Sequence, residues 1–240
     1  MSAIKLSVII PAYNEAERLP QTLDEAYRWL TEIMGEAFEI IVVDDGSSDA
    51  TVERAEEMIS SRPQLKILQQ SENRGKGAAV KRGMLEAMGD IRLFMDADHS
   101  THIREAEKAL AAIAKGSDVI IASRQHPESD ISVHQSWLRE HMGQSFNFIM
   151  RSIVGLKMED TQCGFKAFTA RAAEDIFSRQ KLEGFSFDVE LLFLASKLGY
   201  RIAEIPVEWI NEPNSRVRMI ADPALMFADV IRIRSLHRDL

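Results

Sequence analysis

The sequence predicts an α/β fold, a mostly parallel sheet flanked by helices, from three observations. Short β-branched apolar runs recur through the first half of the chain, longer stretches with helical periodicity separate them, and a polar segment follows each run. The strands expected in order are Leu6–Ile10, Glu39–Val43, Lys66–Leu68, Ile91–Met95 and Val119–Ala122. Between them the expected helices are Leu19–Met34, Asp49–Ile59, Gly75–Met88 and Thr101–Ala114, with Ser48 or Asp49 suited to cap the second. Ligands of such sheets bind beyond the carboxyl ends of the strands, which directs attention to Pro11–Glu15, Asp44–Asp49, Asn73–Lys76, Asp96–Ser100 and Ser123–Gln125. Further on the rhythm changes to a long helical stretch at Trp137–Leu156, a glycine-containing segment Asp160–Lys166, and helix and strand up to Pro206. Without a linker, repeat or low-complexity tract, the 240 residues read as one catalytic domain, 1–125 forming the ligand-facing half and 126–240 the second half with the terminal helix.

Composition narrows the function classes. A hydrophobic content of 45% supports a sizeable core, and a net charge of -8 argues against a nucleic-acid binder, so phosphate recognition must come from local Arg and Lys groups. Cys163 stands alone, cannot form an intramolecular disulfide, and reads as a buried thiol in a cytoplasmic protein. Met1–Ile10 lacks the basic stretch and apolar run of a signal peptide. No run reaches the roughly 18 apolar residues of a spanning helix, and a soluble or peripheral protein is expected.

Two acidic strand ends carry the chemistry. Asp96-Ala97-Asp98 directly follows an apolar strand, and its hard oxygens suit Mg²⁺ or Mn²⁺ shared with substrate phosphates; the competing reading is a cap for the helix that follows. Val42–Asp49 is the second, where a carboxylate such as Asp45 can accept hydrogen bonds from ribose or a base while Asp49 serves the next helix. Gly75-Lys76-Gly77 opens a helix whose free N–H groups and Lys76 favour an anion. The segment completes neither Gly-x-Gly-x-x-Gly nor a P-loop, which disfavours a dinucleotide dehydrogenase and excludes a P-loop NTPase.

Taken together, Ser7–Glu15, Val43–Ser47 and the Asp-x-Asp resemble glycosyltransferase family 2. With Ser123-Arg124, Asp160–Lys166 and Phe187–Leu191 the sequence looks most like its dolichyl-phosphate glucosyltransferase branch, with the mannosyltransferases as near relatives, from Ser7 to about Arg234. The resemblance implies a GT-A fold, a Rossmann-like sheet with acceptor-side helices toward the C-terminus. It implies Pro11, Tyr13, Glu15, Val43, Asp45, Lys76, Asp96 and Arg216 around the nucleotide-sugar, and Asp96 and Asp98 on the metal, Mg²⁺ or Mn²⁺. Asp98 and Arg124 are implied at the reacting diphosphate, and Arg139, Gln162 and Ser215 at the acceptor phosphate. Arg216 stands where these relatives carry lysine, and Ser100 where mannosyltransferases offer glutamine.

The expected reaction is inverting transfer of a hexose from a nucleotide-sugar, UDP-glucose before GDP-mannose, to a polyprenyl phosphate. That acceptor is largely dianionic at neutral pH and needs no base; Asp188 or Glu190 would serve only an alcohol acceptor, and Glu190 reads as part of a helix start. A lipid acceptor calls for contact with a membrane, on its cytoplasmic face. The candidate surfaces are the apolar face Leu138, Met142, Phe146, Ile149, Ile153 and Leu156 beside Trp137, more often core, and the basic amphipathic stretch Met226–Arg238, which would equally be a docked terminal helix. The alternatives are a soluble family 2 transferase acting on a saccharide or small hydroxyl compound, and a non-catalytic nucleotide-sugar-binding scaffold.

Overall fold

The computed structural model describes residues 3–132, 151–210 and 221–240, the last segment with side chains from 225 onward. Its first half alternates strand and helix: β1 (Leu6–Ala12), α1 (Leu19–Met34), β2 (Phe38–Asp44), α2 (Thr51–Ile59), β3 (Leu65–Gln69), α3 (Lys76–Glu86), β4 (Ile91–Met95), α4 (Ala106–Ala114) and β5 (Val119–Ser123). A short strand β6 (Asp130–Ile131) follows, then β7 (Phe165–Thr169), α5 (Ala170–Arg179), α6 (Phe187–Lys197), β8 (Ile202–Pro206), β9 (Glu208–Trp209) and α7 (Ala221–Leu236).

Seven strands form one sheet in the order β3-β2-β1-β4-β7-β5-β8. All neighbours run parallel except β7, which is antiparallel to both β4 and β5. Pleating sorts the strand residues onto two faces. Val8, Ile10, Ile40 and Val42 face a core with Leu19, Leu23, Ala26 and Leu30 of α1. Ile9, Ile41 and Val43 face the opposite core, built from α3, α5, α6 and α7.

Helix starts fall later than the sequence suggests at two places. Asp49 accepts the Thr51 N–H at 3.0 Å, and α2 begins only at Thr51, because Asn14 and Asp49 tie the preceding turn to the end of β1. After Asp98 the chain makes a turn and a 3₁₀ segment, Ile103–Glu105, before α4, and neither helical start has a side-chain cap. The Asp-x-Asp carboxylates therefore do not cap a helix; among the described residues Asp98 accepts the nearby Ser100 N–H, at 3.0 Å. The antiparallel β7 was not legible as a strand, since its alternation is interrupted by Lys166.

The position of α3, which carries Lys76, depends on Gly83. A Cβ there would lie 2.5 Å from Ile9 Cγ2 and 2.9 Å from Val43 Cγ2, both side chains fully buried. Alanine would raise helix propensity by about 1 kcal/mol. Overpacking against two β-branched core residues that cannot retreat costs about 1–3 kcal/mol, and that term wins. Gly83→Ala is expected to destabilise the protein by up to about 2 kcal/mol in denaturant titration; a stabilised variant would contradict this packing.

Candidate active site

The polar segments converge at one edge of the sheet. The ends of β1, β2, β4 and β5 and the start of α3 all lie on this edge because those strands run parallel. Since β7 is antiparallel, its beginning reaches the same edge, and the pair Met95↔Phe165 sets Asp96 beside Gly164. A Cβ on Gly164 would overlap the Asp96 carboxylate, so that side chain lies directly across the glycine. Lys76 Nζ reaches from α3 to Asp96 Oδ1 at 2.5 Å.

Behind this pair is a second, fully buried one. Lys166 has no solvent exposure; its ammonium donates to Asp188 Oδ1 and, at 2.6 Å, to the Cys163 carbonyl, and it lies 5.5 Å from the Phe94 ring centroid. Arg124, at the end of β5, makes a two-pronged contact with Asp160, Nε to Oδ2 at 2.7 Å and Nη2 to Oδ1 at 2.9 Å, and lies over Trp209. Burial of Asp160 pushes its carboxyl up, but Arg124 outweighs that and holds it below the usual range. For Asp96, burial also raises the carboxyl; Lys76 opposes, Asp98 and Asp188 add to the rise, and the net shift is upward. Lys76, desolvated yet facing Asp96, Asp188 and Asp98, is held more firmly protonated than a free lysine. Burial and then Asp160 push the Cys163 thiol up to about 12, so it is neutral, in line with a structural thiol.

At the other end of this edge Asp45 ties down the loop leading to α3. Its Oδ1 accepts from Arg74 N at 2.9 Å and Gln70 Nε2 at 2.5 Å, and its Oδ2 from Gly75 N at 2.8 Å. Asp44 folds its own turn by accepting from Gly46 N and Ser47 N. Asn14, with φ of 53°, bridges the β1 and β2 ends through Ser48 N and Ser47 Oγ.

Of the residues expected at the site, Pro11, Lys76, Asp96, Asp98 and Arg124 are partly accessible, and Tyr13 is exposed. Glu15 is buried and engages Arg18 through both carboxylate oxygens. The Val43 side chain is turned wholly into the core against Gly83, so a ligand could meet only its backbone. Gln162 is partly accessible, its N–H bonded to Asp160 and its amide directed at Met226 Sδ. Arg139, Ser215, Arg216 and most of the stretch from Trp137 lie outside the described residues; of its apolar face, Ile153 and Leu156 pack with the core.

Sequence reasoning missed the buried Lys166, its bond to Asp188, and Asp160 as the partner of Arg124. The available signal was a lysine at an inward position of an apolar strand, which demands an acidic partner. Glu190 is fully buried and accepts from Lys181 N, Leu182 N and His237, which makes it structural.

Comparison with known proteins places this edge in context. The family model for glycosyl transferase family 2 matches residues 7–177. A dolichyl-phosphate beta-glucosyltransferase of Dictyostelium discoideum is 38% identical over 96% of this chain and 74% of its own length. The Saccharomyces cerevisiae protein of the same name is 36% identical over 98% and 75%. Among solved structures, glucosyl-3-phosphoglycerate synthase from Mycobacterium tuberculosis in complex with Mn²⁺, UDP and glucosyl-3-phosphoglycerate superposes with a TM-score of 0.71, 21% identity, and coverage of 97% of this chain and 80% of that one. That likeness shows a GT-A fold. On the matched motifs and this extent of identity, the chain belongs to glycosyl transferase family 2.

Proposed function

We propose that this protein transfers glucose from UDP-glucose to a polyprenyl phosphate of the dolichyl type, with inversion at the anomeric carbon. The reading is carried by the convergence of Asp96, Asp98, Lys76 and Arg124 on one sheet edge, in a chain whose relatives over nearly its full length are named dolichyl-phosphate beta-glucosyltransferases.

The residues present fit a divalent cation. Asp96 and Asp98 offer hard oxygens at a strand end, and the bare Gly164 leaves the Asp96 carboxylate its place. Bound there, Mg²⁺ or Mn²⁺ would supply Lewis-acid stabilisation of the diphosphate leaving group. Lys76 and Arg124 are fixed cations that favour the charge developing on that group. Asp160 holds the Arg124 plane from behind, so little reorganisation is needed when a phosphate arrives. In the reaction a phosphate oxygen of the acceptor forms the bond to the anomeric carbon as the bond to the nucleoside diphosphate breaks. The dianionic acceptor needs no proton removed, which leaves the buried Asp188 free to neutralise Lys166.

For the lipid side, α7 is the favoured contact. Met226, Val230 and Ile233 seat it on the core, while Leu225, Phe227 and Ile231 stay exposed beside Arg232, Arg234 and Arg238. An outward face of apolar and basic residues suits an anionic cytoplasmic leaflet. No helix among the described residues is long and apolar enough to cross a membrane, so contact at the surface is the mode proposed.

UDP-glucose and GDP-mannose, each offered with a short polyprenyl phosphate and Mg²⁺ or Mn²⁺, should give hexosyl-phosphate lipid by product mass with UDP-glucose first. Transfer only to saccharide acceptors would contradict the reading. Asp98→Asn is expected to lower the rate by about a hundredfold or more while the folded spectrum is kept. Gly164→Ala, which pushes the Asp96 carboxylate from its seat, should cost about a hundredfold in rate as well; an unchanged rate would show that this seat does not matter.

A further inference from the structure

A second constellation lies immediately beside the Asp-x-Asp turn and has no part in the proposed transfer. Glu25, on α1, and His99 and His102, just after Asp98, bring one carboxylate oxygen and two ring nitrogens within 4.8 Å of one another. Glu25 Oε2 is 3.4 Å from His99 Nδ1 and 3.5 Å from His102 Nδ1. Charge-assisted hydrogen bonds between such groups normally close to about 2.7–2.9 Å. In a tetrahedral zinc site with bonds of about 2.0–2.1 Å, adjacent donor atoms sit about 3.3–3.4 Å apart. The two Glu25–histidine separations match the second geometry, and the two ring nitrogens lie within 4.8 Å of each other.

Two backbone features set this spacing. Thr22, one helical turn before Glu25, donates its hydroxyl to the Ala97 carbonyl at 2.8 Å, fixing the same face of α1 against the turn. His99 takes a left-handed φ of 62°, uncommon outside glycine though histidine is among the side chains that adopt it, and this turns its ring toward Glu25. The two rings meet edge to face, at 63° to each other with centroids 6.3 Å apart, which leaves a nitrogen of each turned toward Glu25. All three side chains keep some solvent access, at 42%, 16% and 39% exposure for Glu25, His99 and His102, which gives an ion a path in.

We propose that Glu25, His99 and His102 form a transition-metal site of the zinc class, distinct from the oxygen site at Asp96 and Asp98, that clips α1 to the turn carrying Asp98. Two imidazole nitrogens, borderline donors, beside one carboxylate favour Zn²⁺ over Mg²⁺, which an all-oxygen site would suit. Three protein ligands leave a fourth position for water. The consequence for the neighbouring site is mechanical: with Glu25 and the two histidines on one ion, the Asp96–Asp98 turn is anchored at Ala97 by Thr22 and past Asp98 by the metal.

The test uses the full-length, untagged protein, stripped with chelator and held in excess Mg²⁺ so that the carboxylate site is occupied by the hard ion. Co²⁺ is titrated in, because its tetrahedral complexes absorb far more strongly in the visible than its octahedral ones. One equivalent with a tetrahedral spectrum, displaced by one equivalent of Zn²⁺, is expected. His102→Ala and Glu25→Ala, both at partly exposed positions, should each weaken binding by at least about tenfold, whereas Asp98→Asn should leave it intact. Absence of one-equivalent binding under excess Mg²⁺, affinity unchanged in both ligand variants, or loss of the signal in Asp98→Asn would each overturn the assignment. Because Co²⁺ binding is read without any sugar transfer, its failure leaves the proposed transferase activity untouched, and the reverse also holds.

Discussion

The site depends on one contact, the Asp96 carboxylate lying across Gly164 with Lys76 against its outer oxygen. A desolvated carboxylate is costly unless paired, and at a strand end it would otherwise turn to solvent or to a nearby backbone N–H. Two long-range features prevent this. The antiparallel β4–β7 register delivers a residue without a side chain to the one place where the carboxylate must pass, and the packing of Gly83 on Ile9 and Val43 brings α3 close enough for Lys76 to reach. The Asp96 carboxylate and the Lys76 that meets it are thus positioned by two glycines.

The surrounding charges are arranged in pairs of differing accessibility. Lys166 and Asp188 are sealed in the core, where they neutralise each other and stiffen the floor of the site. Arg124 and Asp160 are graded, the acid at 1% exposure and the arginine at 32%, so the cation presents an outer surface while its orientation is set from within. Lys76 and Asp96, at 20% and 33%, are the most open of the three pairs. This gradient leaves Lys76 and Arg124 as partly exposed cations at the rim of a chain of net charge -8.

Much of the first half was legible in the sequence because hydrophobic period and turn chemistry agree there. The helix Leu19–Met34 and the strand Ile91–Met95 were read to the residue; Asp96 and Asp98 were named from their place after a strand, Lys76 from the start of a helix, and Arg124 from the family resemblance. What was not legible involves contacts distant in sequence. The strand at Phe165–Thr169 carries a lysine in its apolar alternation, and only the tertiary partner Asp188 makes that lysine compatible with a sheet interior. Asp45 was read as an acid facing ribose or base, and the structure adds that it accepts from Gln70, Arg74 and Gly75, 25 to 30 residues downstream. Local pattern identifies which groups stand at the rim; which of them are already engaged by the fold is a property of the register.

On the proposed reading, the Lys76–Asp96 pair is the part of the rim that opens to receive metal and nucleotide. It is tested most directly by a crystal structure of the protein grown with Mn²⁺ and UDP, with the ion located from its anomalous scattering. The account predicts an anomalous peak bonded to Asp98 and Asp96, with Lys76 Nζ drawn from the carboxylate to a diphosphate oxygen and the Lys166–Asp188 pair unmoved. A peak remote from both aspartates, with Lys76 still closed on Asp96 and UDP bound elsewhere, would contradict it.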